Sequence, residues 1–309
     1  MQTVTITSCG TTIVIESNID LYESIKSQIP YADFPELEIQ KGRAEDCEYL
    51  VKYANSNYIE LTYREREVLF RCPFEKTENG MVILYVTYPL LEKKRRNNKA
   101  LTFHGAAVGI NNNGILLLGK EGAGKTTLAL QLCEKHHAEL IGNDLCVLDY
   151  QDVNNLYLLG GTKFIHLRYE SIKRNIPGFL FYFDGVGTKD NWTCKKKVMP
   201  EDLGINTIHS PIKVSKIYIV HIDQNYSFYH TSAYNINNVL YLNENFSRYI
   251  KNSCTALIVD KKIIGYIPSL DTYEDFKNRS ILINAMFQSK IEYISGNLNE
   301  VAEYIYNNI

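Results

Sequence analysis

Short apolar segments separated by polar turns characterise the first hundred residues and predict a small unit rich in strands. Apolar and polar positions alternate over residues 4–6 and 12–16, on either side of a turn at Cys9-Gly10. The same alternation occurs over residues 58–63 and 67–70, around a polar tripeptide. A period of two residues is typical of strands with one buried face. We therefore expect a small β-rich N-terminal domain.

A strongly basic segment, EKKRRNNK at residues 92–99, follows a further apolar stretch that begins at Met81. Such a segment could bind phosphate or RNA, but in a chain near neutrality it favours a solvated helix end or a connector. We place the domain boundary here. The prediction is an N-terminal domain over residues 1–98 and a second domain over residues 99–309.

Beyond this boundary, apolar segments of strand length alternate with helical periodicity, which is typical of α/β proteins. Strands are predicted at residues 103–108, 114–118, 138–144, 216–223 and 291–294, and a terminal helix at 299–306. Two of these predicted strands end in a carboxylate, Asp144 and Asp223. The sequence therefore predicts an α/β core built around a central mixed sheet.

The most informative motif is GKEGAGKT, which fits G-x-x-x-x-G-K-[ST] with Gly119, Gly124, Lys125 and Thr126 at the fixed positions. An apolar strand precedes it and an amphipathic helix follows, which is the context that a phosphate-binding loop requires. Backbone N–H groups and the helix N-terminus would bind phosphate oxygens. Lys125 would contact the β- and γ-phosphates, and the Thr126 hydroxyl would ligand Mg²⁺. The sequence therefore predicts a P-loop nucleotide-binding core.

Phosphoryl transfer also requires a carboxylate that holds Mg²⁺ or accepts a proton. Asp144 lies one helix and one strand beyond the loop, and Asp223 follows IYIVHI, a run of apolar residues before an acid as in a Walker B strand. Either residue could instead be an ordinary turn residue at a strand end. The residues alone leave both candidates open.

Residues 104–149 resemble the catalytic core of the HPr kinase/phosphorylase family. The family's histidine-glycine strand, its glycine loop with the following helix, and its strand ending in paired aspartates have counterparts here in the same order and at similar spacing. Farther on, residues 166–168 (His-Leu-Arg) lie roughly where the family has Glu-Ile-Arg, and residues 195–198 resemble a basic segment of HPr-kinase-like proteins. The resemblance implies an HPr kinase-like fold and favours Asp144 over Asp223.

Three departures make the chain a divergent relative of that family. Asn143 replaces one of the paired aspartates, and an amide can ligand Mg²⁺ but cannot accept a proton. Acid–base duty would therefore fall to Asp144, with Thr126, Asn143 and Asp144 as metal ligands. His166 replaces the family's glutamate, and the first hundred residues do not match the regulatory domain. Relatives of this kind resemble precursor-peptide serine kinases, which occur beside biosynthetic clusters for ribosomal peptides, including lasso peptides.

We accordingly expect an ATP- and Mg²⁺-dependent kinase that phosphorylates a Ser or Thr hydroxyl of a protein or peptide. The catalytic candidates are Asp144, Lys125 and His104, although His104 could equally be a core histidine. Arg168 and Lys197 could clamp phosphates or be ordinary surface charges. The candidates for nucleotide binding are Gly119, Lys120, Glu121, Gly122, Ala123, Gly124, Lys125, Thr126, Thr127, Arg168 and Lys197.

Two alternatives remain at this point: a kinase for a small-molecule alcohol, and a P-loop NTPase switch without a phosphoacceptor. An open groove would distinguish a peptide acceptor from a small alcohol, which a compact pocket would enclose. Residues 179–197 are aromatic, contain glycine and end in lysines, so we expect them to line such a groove near Asp144. An ordinary surface loop is the other interpretation.

The composition and charge indicate which classes of partner, and which cellular compartment, to expect. The 309-residue chain has a formal net charge of −2, which gives no reason to expect nucleic-acid binding. It contains no apolar run of membrane-spanning length and does not begin with a signal peptide. Seven cysteines without a CxxC pair indicate a reducing cytoplasm. The family resemblance implies a homo-oligomer.

Overall fold

The computed structural model describes residues 1–45, 47–183, 194–251 and 256–309. The chain is a mixed α/β protein whose contacts divide into two compact units. The first unit comprises Met1–Phe103 and Asn243–Ser280, and the second comprises His104–Leu242 and Ile281–Ile309. Residues 243–280 thus belong to the same unit as the N-terminal residues, although they come much later in the chain.

A mixed sheet forms the centre of the first unit. The elements up to residue 97 are β1 (Gln2–Ser8), β2 (Thr11–Ser17), α1 (Tyr22–Gln28), β3 (Leu37–Lys41), β4 (Leu50–Asn55), β5 (Glu60–Tyr63), β6 (Glu67–Cys72) and α2 (Met81–Asn97). Among the described residues, the sheet has six strands in the order β3-β1-β2-β4-β6-β5. The pairs β2–β4 and β4–β6 are parallel, and the others are antiparallel. The four strands predicted from alternation are present as β1, β2, β5 and β6, whereas β3 and β4 were missed.

The basic segment ends helix α2 at Asn97, as predicted, but Glu92, Lys93, Arg95 and Arg96 are buried and only Asn97 and Asn98 are exposed, so the prediction of a solvated segment is wrong for most of its charges. Glu92 and Arg95 are fully buried, and Glu92 accepts a hydrogen bond from Arg96 Nε at 2.8 Å. Arg95 donates to the Ser8 hydroxyl at 2.5 Å and to the Thr102 hydroxyl at 2.8 Å. Burial is tolerated because these charges are paired and hydrogen-bonded.

The second central sheet is also mixed. The remaining elements are β7 (Ala100–Ile110), β8 (Asn113–Leu118), α3 (Lys125–His136), β9 (Glu139–Asp149), β10 (Tyr157–Gly161), β11 (Ile165–Arg168), α4 (Tyr169–Asn175), β12 (Lys195–Val198), β13 (Ile212–Ile222), β14 (Tyr229–Thr231), α5 (Ile236–Lys251), β15 (Ala256–Val259), β16 (Lys262–Tyr266), α6 (Tyr273–Ser289), β17 (Ile291–Gly296) and α7 (Leu298–Asn307). In the described chain, the sheet has seven strands in the order β10-β9-β7-β8-β13-β17-β14. Strand β13 runs parallel to β8 and to β17, while β7 is antiparallel to β8. The predicted central mixed sheet is confirmed.

Helices α3 and α7 pack together and against strands of this second sheet. Leu128 and Leu132 of α3 and Val301 and Ile305 of α7 are buried with Leu117 of β8 in one apolar cluster. Their spacing of four residues places each pair on one helix face, which explains why these segments fold as helices over an apolar sheet. No helix in the described part of the chain is long and apolar enough to cross a membrane.

Candidate functional site

The glycine-rich loop, residues 119–124, connects β8 to α3 and has the strand–loop–helix context that the motif predicted. Gly124 has φ +87°, and a Cβ there would lie 2.6 Å from the Cβ of Ile222. At Gly119, with φ +150°, a Cβ would lie 2.6 Å from the carbonyl oxygen of Val220. Both positions therefore require glycine, because any side chain would collide with β13. The loop is held tightly against the end of this strand.

Lys125, the first residue after the loop, hydrogen-bonds the first two residues of the loop. Its ammonium donates to the carbonyl oxygens of Gly119 at 2.9 Å and of Lys120 at 3.0 Å, and the residue is only 7% exposed. Tyr241, on α5, contacts the same end of the loop: its hydroxyl accepts from the Gly119 N–H at 2.7 Å and donates to the Gly119 carbonyl at 2.8 Å. Tyr241 was not among the predicted site residues, since no local pattern links it to the loop.

The next residue of the motif joins the loop to strand β9. The Thr126 hydroxyl donates to Asn143 Oδ1 at 2.8 Å. Asn143 is 1% exposed, and its Nδ2 has no hydrogen-bond partner among the described residues. A buried amide without a partner costs about 1–3 kcal/mol, so this group indicates a place where a ligand oxygen would fit. The structure thus brings together two of the three predicted metal ligands.

The oxygens of this pair fit Mg²⁺. Neighbouring ligands of an octahedral Mg²⁺, with bonds of ~2.0–2.1 Å, lie about 2.9 Å apart, close to the separation of Thr126 Oγ1 and Asn143 Oδ1. Hydroxyl, amide and carboxylate oxygens are the hard ligands that this ion prefers. In the described residues, no group of three or more His, Cys, Asp or Glu side chains is arranged as a metal site. A magnesium ion here would therefore be completed by phosphate or water oxygens.

The sequence predicted a strand that ends at Asp144. This prediction is wrong, because β9 continues past Asp144 to Asp149. The backbone of Asp144 has φ +64°, in the left-handed region that costs most residues about 1–2 kcal/mol. The Thr162 side chain supplies hydrogen bonds to the backbone on both sides of Asp144. Its hydroxyl donates to the Asn143 carbonyl and accepts from the Leu145 N–H at 3.3 Å. Strained backbone of this kind is concentrated at functional sites.

The competing carboxylate, Asp223, follows β13 as predicted, directly after Ile222. Strand β13 also borders the loop, because the Ile222 N–H donates to the Ala123 carbonyl at 3.0 Å. The Asp223 carboxylate, however, accepts from the backbone N–H of Asn225 at 2.9 Å and from its side-chain amide at 3.1 Å. These hydrogen bonds are those of a turn-forming aspartate. The Thr126 hydroxyl donates to Asn143, which lies on β9 and not on β13.

The other predicted site residues lie on elements around the loop. Arg168, at the end of β11, is 3.4 Å from Glu121, and Thr127 bonds the Ser171 hydroxyl of α4 at 2.9 Å. The Lys197 ammonium lies 3.4 Å from the centre of the Phe164 ring.

His104 is half-buried on β7, next to β9 in the sheet. Gly122 has φ +78° and an exposed backbone. Within the predicted groove of residues 179–197, positions 184–193 lie outside the described residues.

No protein-family model and no curated protein matches the chain. Among solved structures, it is similar to that of the Hpr(Ser) kinase/phosphatase from Coxiella burnetii, at 11% sequence identity. The match covers 67% of this chain and 91% of that chain, with a TM-score of 0.31. A likeness this remote carries no assignment of fold or function, so both rest on the geometry of this chain.

Proposed function

We propose that the protein is an ATP- and Mg²⁺-dependent kinase that transfers the γ-phosphate to a Ser or Thr hydroxyl of a protein or peptide. The observation that carries this proposal is the hydrogen bond between Thr126 and Asn143. It joins a glycine-rich loop of phosphate-binding type to a strand whose next residue, Asp144, is a carboxylate in strained backbone. Phosphate cradle, metal ligands and base would thus come from two neighbouring segments.

Each residue has a definite task in this proposal. Loop N–H groups and the N-terminus of α3 bind the phosphates, and the Lys125 ammonium exchanges a loop carbonyl for phosphate oxygens. Thr126, Asn143 and Asp144 hold Mg²⁺, which neutralises charge on the transferred group when it is bound. The Asp144 carboxylate accepts the proton of the attacking hydroxyl. His104 orients Asp144, and Arg168 and Lys197 contact phosphates.

The acceptor class follows from the resemblance of residues 104–149 to HPr-kinase-like enzymes, which suggests a peptide, and a biosynthetic precursor peptide in particular. The scattered cysteines favour a cytoplasmic protein, and the resemblance implies a homo-oligomer. A kinase for a small alcohol and an NTPase switch are the competing functions. The switch would place its catalytic acid at Asp223, and this difference gives the test.

The test compares Asp144→Asn with Asp223→Asn in transfer from γ-labelled ATP to a panel of Ser- and Thr-containing peptides, followed by mass spectrometry. We expect Asp144→Asn to lower turnover by about a hundred- to ten-thousand-fold, as for loss of a positioned base. Asp223→Asn is the matched control, because it removes one strand-associated carboxylate in the same way. A larger loss at Asp223, with ATP hydrolysis but no labelled peptide, would contradict the kinase and favour the switch.

A further inference from the structure

Strands β11 and β12 form a two-stranded antiparallel ribbon, here called the basic ribbon, with one apolar and one basic face. Residues directly opposite each other share a face. Ile165 pairs with Val198 on the inner face, and both are buried, as is Leu167 two residues along. The outer face is formed by two further pairs, His166–Lys197 and Arg168–Lys195. Every residue of the outer face is therefore basic.

Like charges directly opposite each other destabilise a strand pair. The outer face nevertheless carries three permanent positive charges, on Arg168, Lys195 and Lys197, beside the exposed His166. The eight residues of the ribbon include no Asp or Glu. Glu121 offsets part of this charge at Arg168, and the Lys197 ammonium lies over the Phe164 ring. One carboxylate against three permanent positive charges leaves the face positive, so it is complementary to a negatively charged ligand.

The basic ribbon borders the glycine-rich loop. At the end of β11, Arg168 lies 3.4 Å from Glu121 of the loop, and its side chain is still 41% exposed. Ser171, in the helix that follows β11 directly, bonds Thr127 in the first turn of α3 at 2.9 Å. A chain that presents a hydroxyl to the loop would therefore have its flanking residues within reach of the ribbon.

We propose that the basic ribbon binds acidic side chains that flank the phosphoacceptor serine or threonine, so that the acceptor is an acidic peptide segment. Lys195 contacts these side chains, and Arg168 and Lys197, which also contact the phosphates, add to the positive field of the outer face. This inference rests on the proposed function and adds the substrate class to it. Lys195 is the residue whose substitution tests this proposal most directly. It is exposed on the outer face, whereas the neighbouring Lys196 belongs to the other face, where its ammonium donates to the Tyr182 carbonyl at 2.6 Å.

The experiment measures fluorescence anisotropy of two labelled heptapeptides with a central serine, one flanked by glutamates and the other by glutamines. The full chain is saturated with Mg²⁺ and a non-hydrolysable ATP analogue at low salt. We expect the glutamate peptide to bind about tenfold more tightly, since several exposed ion pairs, each weak, act together. Lys195→Glu should abolish most of this preference, whereas the matched control, Lys196→Glu, should retain it. Raising the salt should weaken the preference in the wild type.

Equal binding of the two peptides, or equal losses in the two variants, would overturn the proposal. Tighter Lys195-dependent binding of a short single-stranded oligonucleotide than of the glutamate peptide would also overturn it. If Lys195→Glu fails to fold, as judged by its melting curve, Lys195→Gln gives the same comparison with a milder change. Nucleotide binding is read separately from a fluorescent ATP analogue: its absence in the wild type would reject the proposed kinase, whereas nucleotide binding without acidic preference rejects only the ribbon's role.

Discussion

Replacing Asp144 by glycine should give a more stable protein than replacing it by alanine, and both changes should remove the activity. Asp144 occupies the left-handed region at φ +64°, which glycine adopts without strain. Alanine has neither a carboxylate nor this freedom. Comparing Asp144→Gly with Asp144→Ala therefore isolates the backbone strain, because both variants lose every interaction of the carboxylate.

The expected magnitude follows from this conformation. Left-handed backbone costs an L-residue about 1–2 kcal/mol, whereas glycine in the unfolded chain costs about 0.4–1 kcal/mol in entropy. The glycine variant should therefore be more stable than the alanine variant by roughly 0.5–1.5 kcal/mol. At about 2–4 °C per kcal/mol for domains of this size, its melting temperature should be higher by a few degrees.

The assay is thermal unfolding of both variants without nucleotide, paired with γ-phosphate transfer at neutral pH. Transfer should fall at least about a hundredfold in each variant, because neither retains a base. Identical melting temperatures would refute the claim that strain is stored at Asp144. Wild-type transfer by either variant would refute the claim that the Asp144 carboxylate is the base.

Three further changes test other parts of the structure. Thr162→Val should lower the free energy of unfolding in urea by about 1–3 kcal/mol, because the backbone beside Asp144 loses both compensating hydrogen bonds. Tyr241→Phe should weaken nucleotide binding about tenfold by calorimetry with a near-unchanged melting temperature, since the lost hydroxyl contacts the glycine-rich loop. Burial raises the pKa of Asp275, but hydrogen bonds from Lys93 and Thr272 hold it below its usual range, so its stabilisation is complete above about pH 4 and is lost as the pH falls further. The gap in melting temperature between the wild type and Asp275→Asn should accordingly shrink from pH 7 to pH 3.

The sequence predicted best what depends on neighbouring residues. The motif alone predicted that β8 leads through a loop into α3. Its glycines mark positions where the backbone conformation and the close contacts leave no room for a side chain. The expectation that Thr126 and Asn143 belong to one site came from the family resemblance, and the structure places them 2.8 Å apart. Their roles in metal binding stay predictions.

What the sequence could not supply depends on distant contacts. Tyr241 reaches Gly119 across 122 positions, which no periodicity records. The burial of Arg95 depends on Ser8, which lies 87 positions earlier in the chain, although the spacing of Glu92 and Arg95 was a local sign of pairing. The uniform charge of the basic ribbon's outer face emerges only from the register that pairs β11 with β12.

The central claim is that the glycine-rich loop and Asn143–Asp144 form one magnesium–nucleotide site. The most direct measurement is calorimetric titration of a non-hydrolysable ATP analogue, with and without Mg²⁺, into the wild type, Lys125→Ala and Asp144→Ala. We expect one nucleotide per chain, bound more tightly with Mg²⁺, a loss of at least about tenfold in Lys125→Ala, and little remaining effect of Mg²⁺ in Asp144→Ala, which has no oxygen ligand at this position. Absence of saturable binding, or the same Mg²⁺ effect in Asp144→Ala as in the wild type, would contradict the claim.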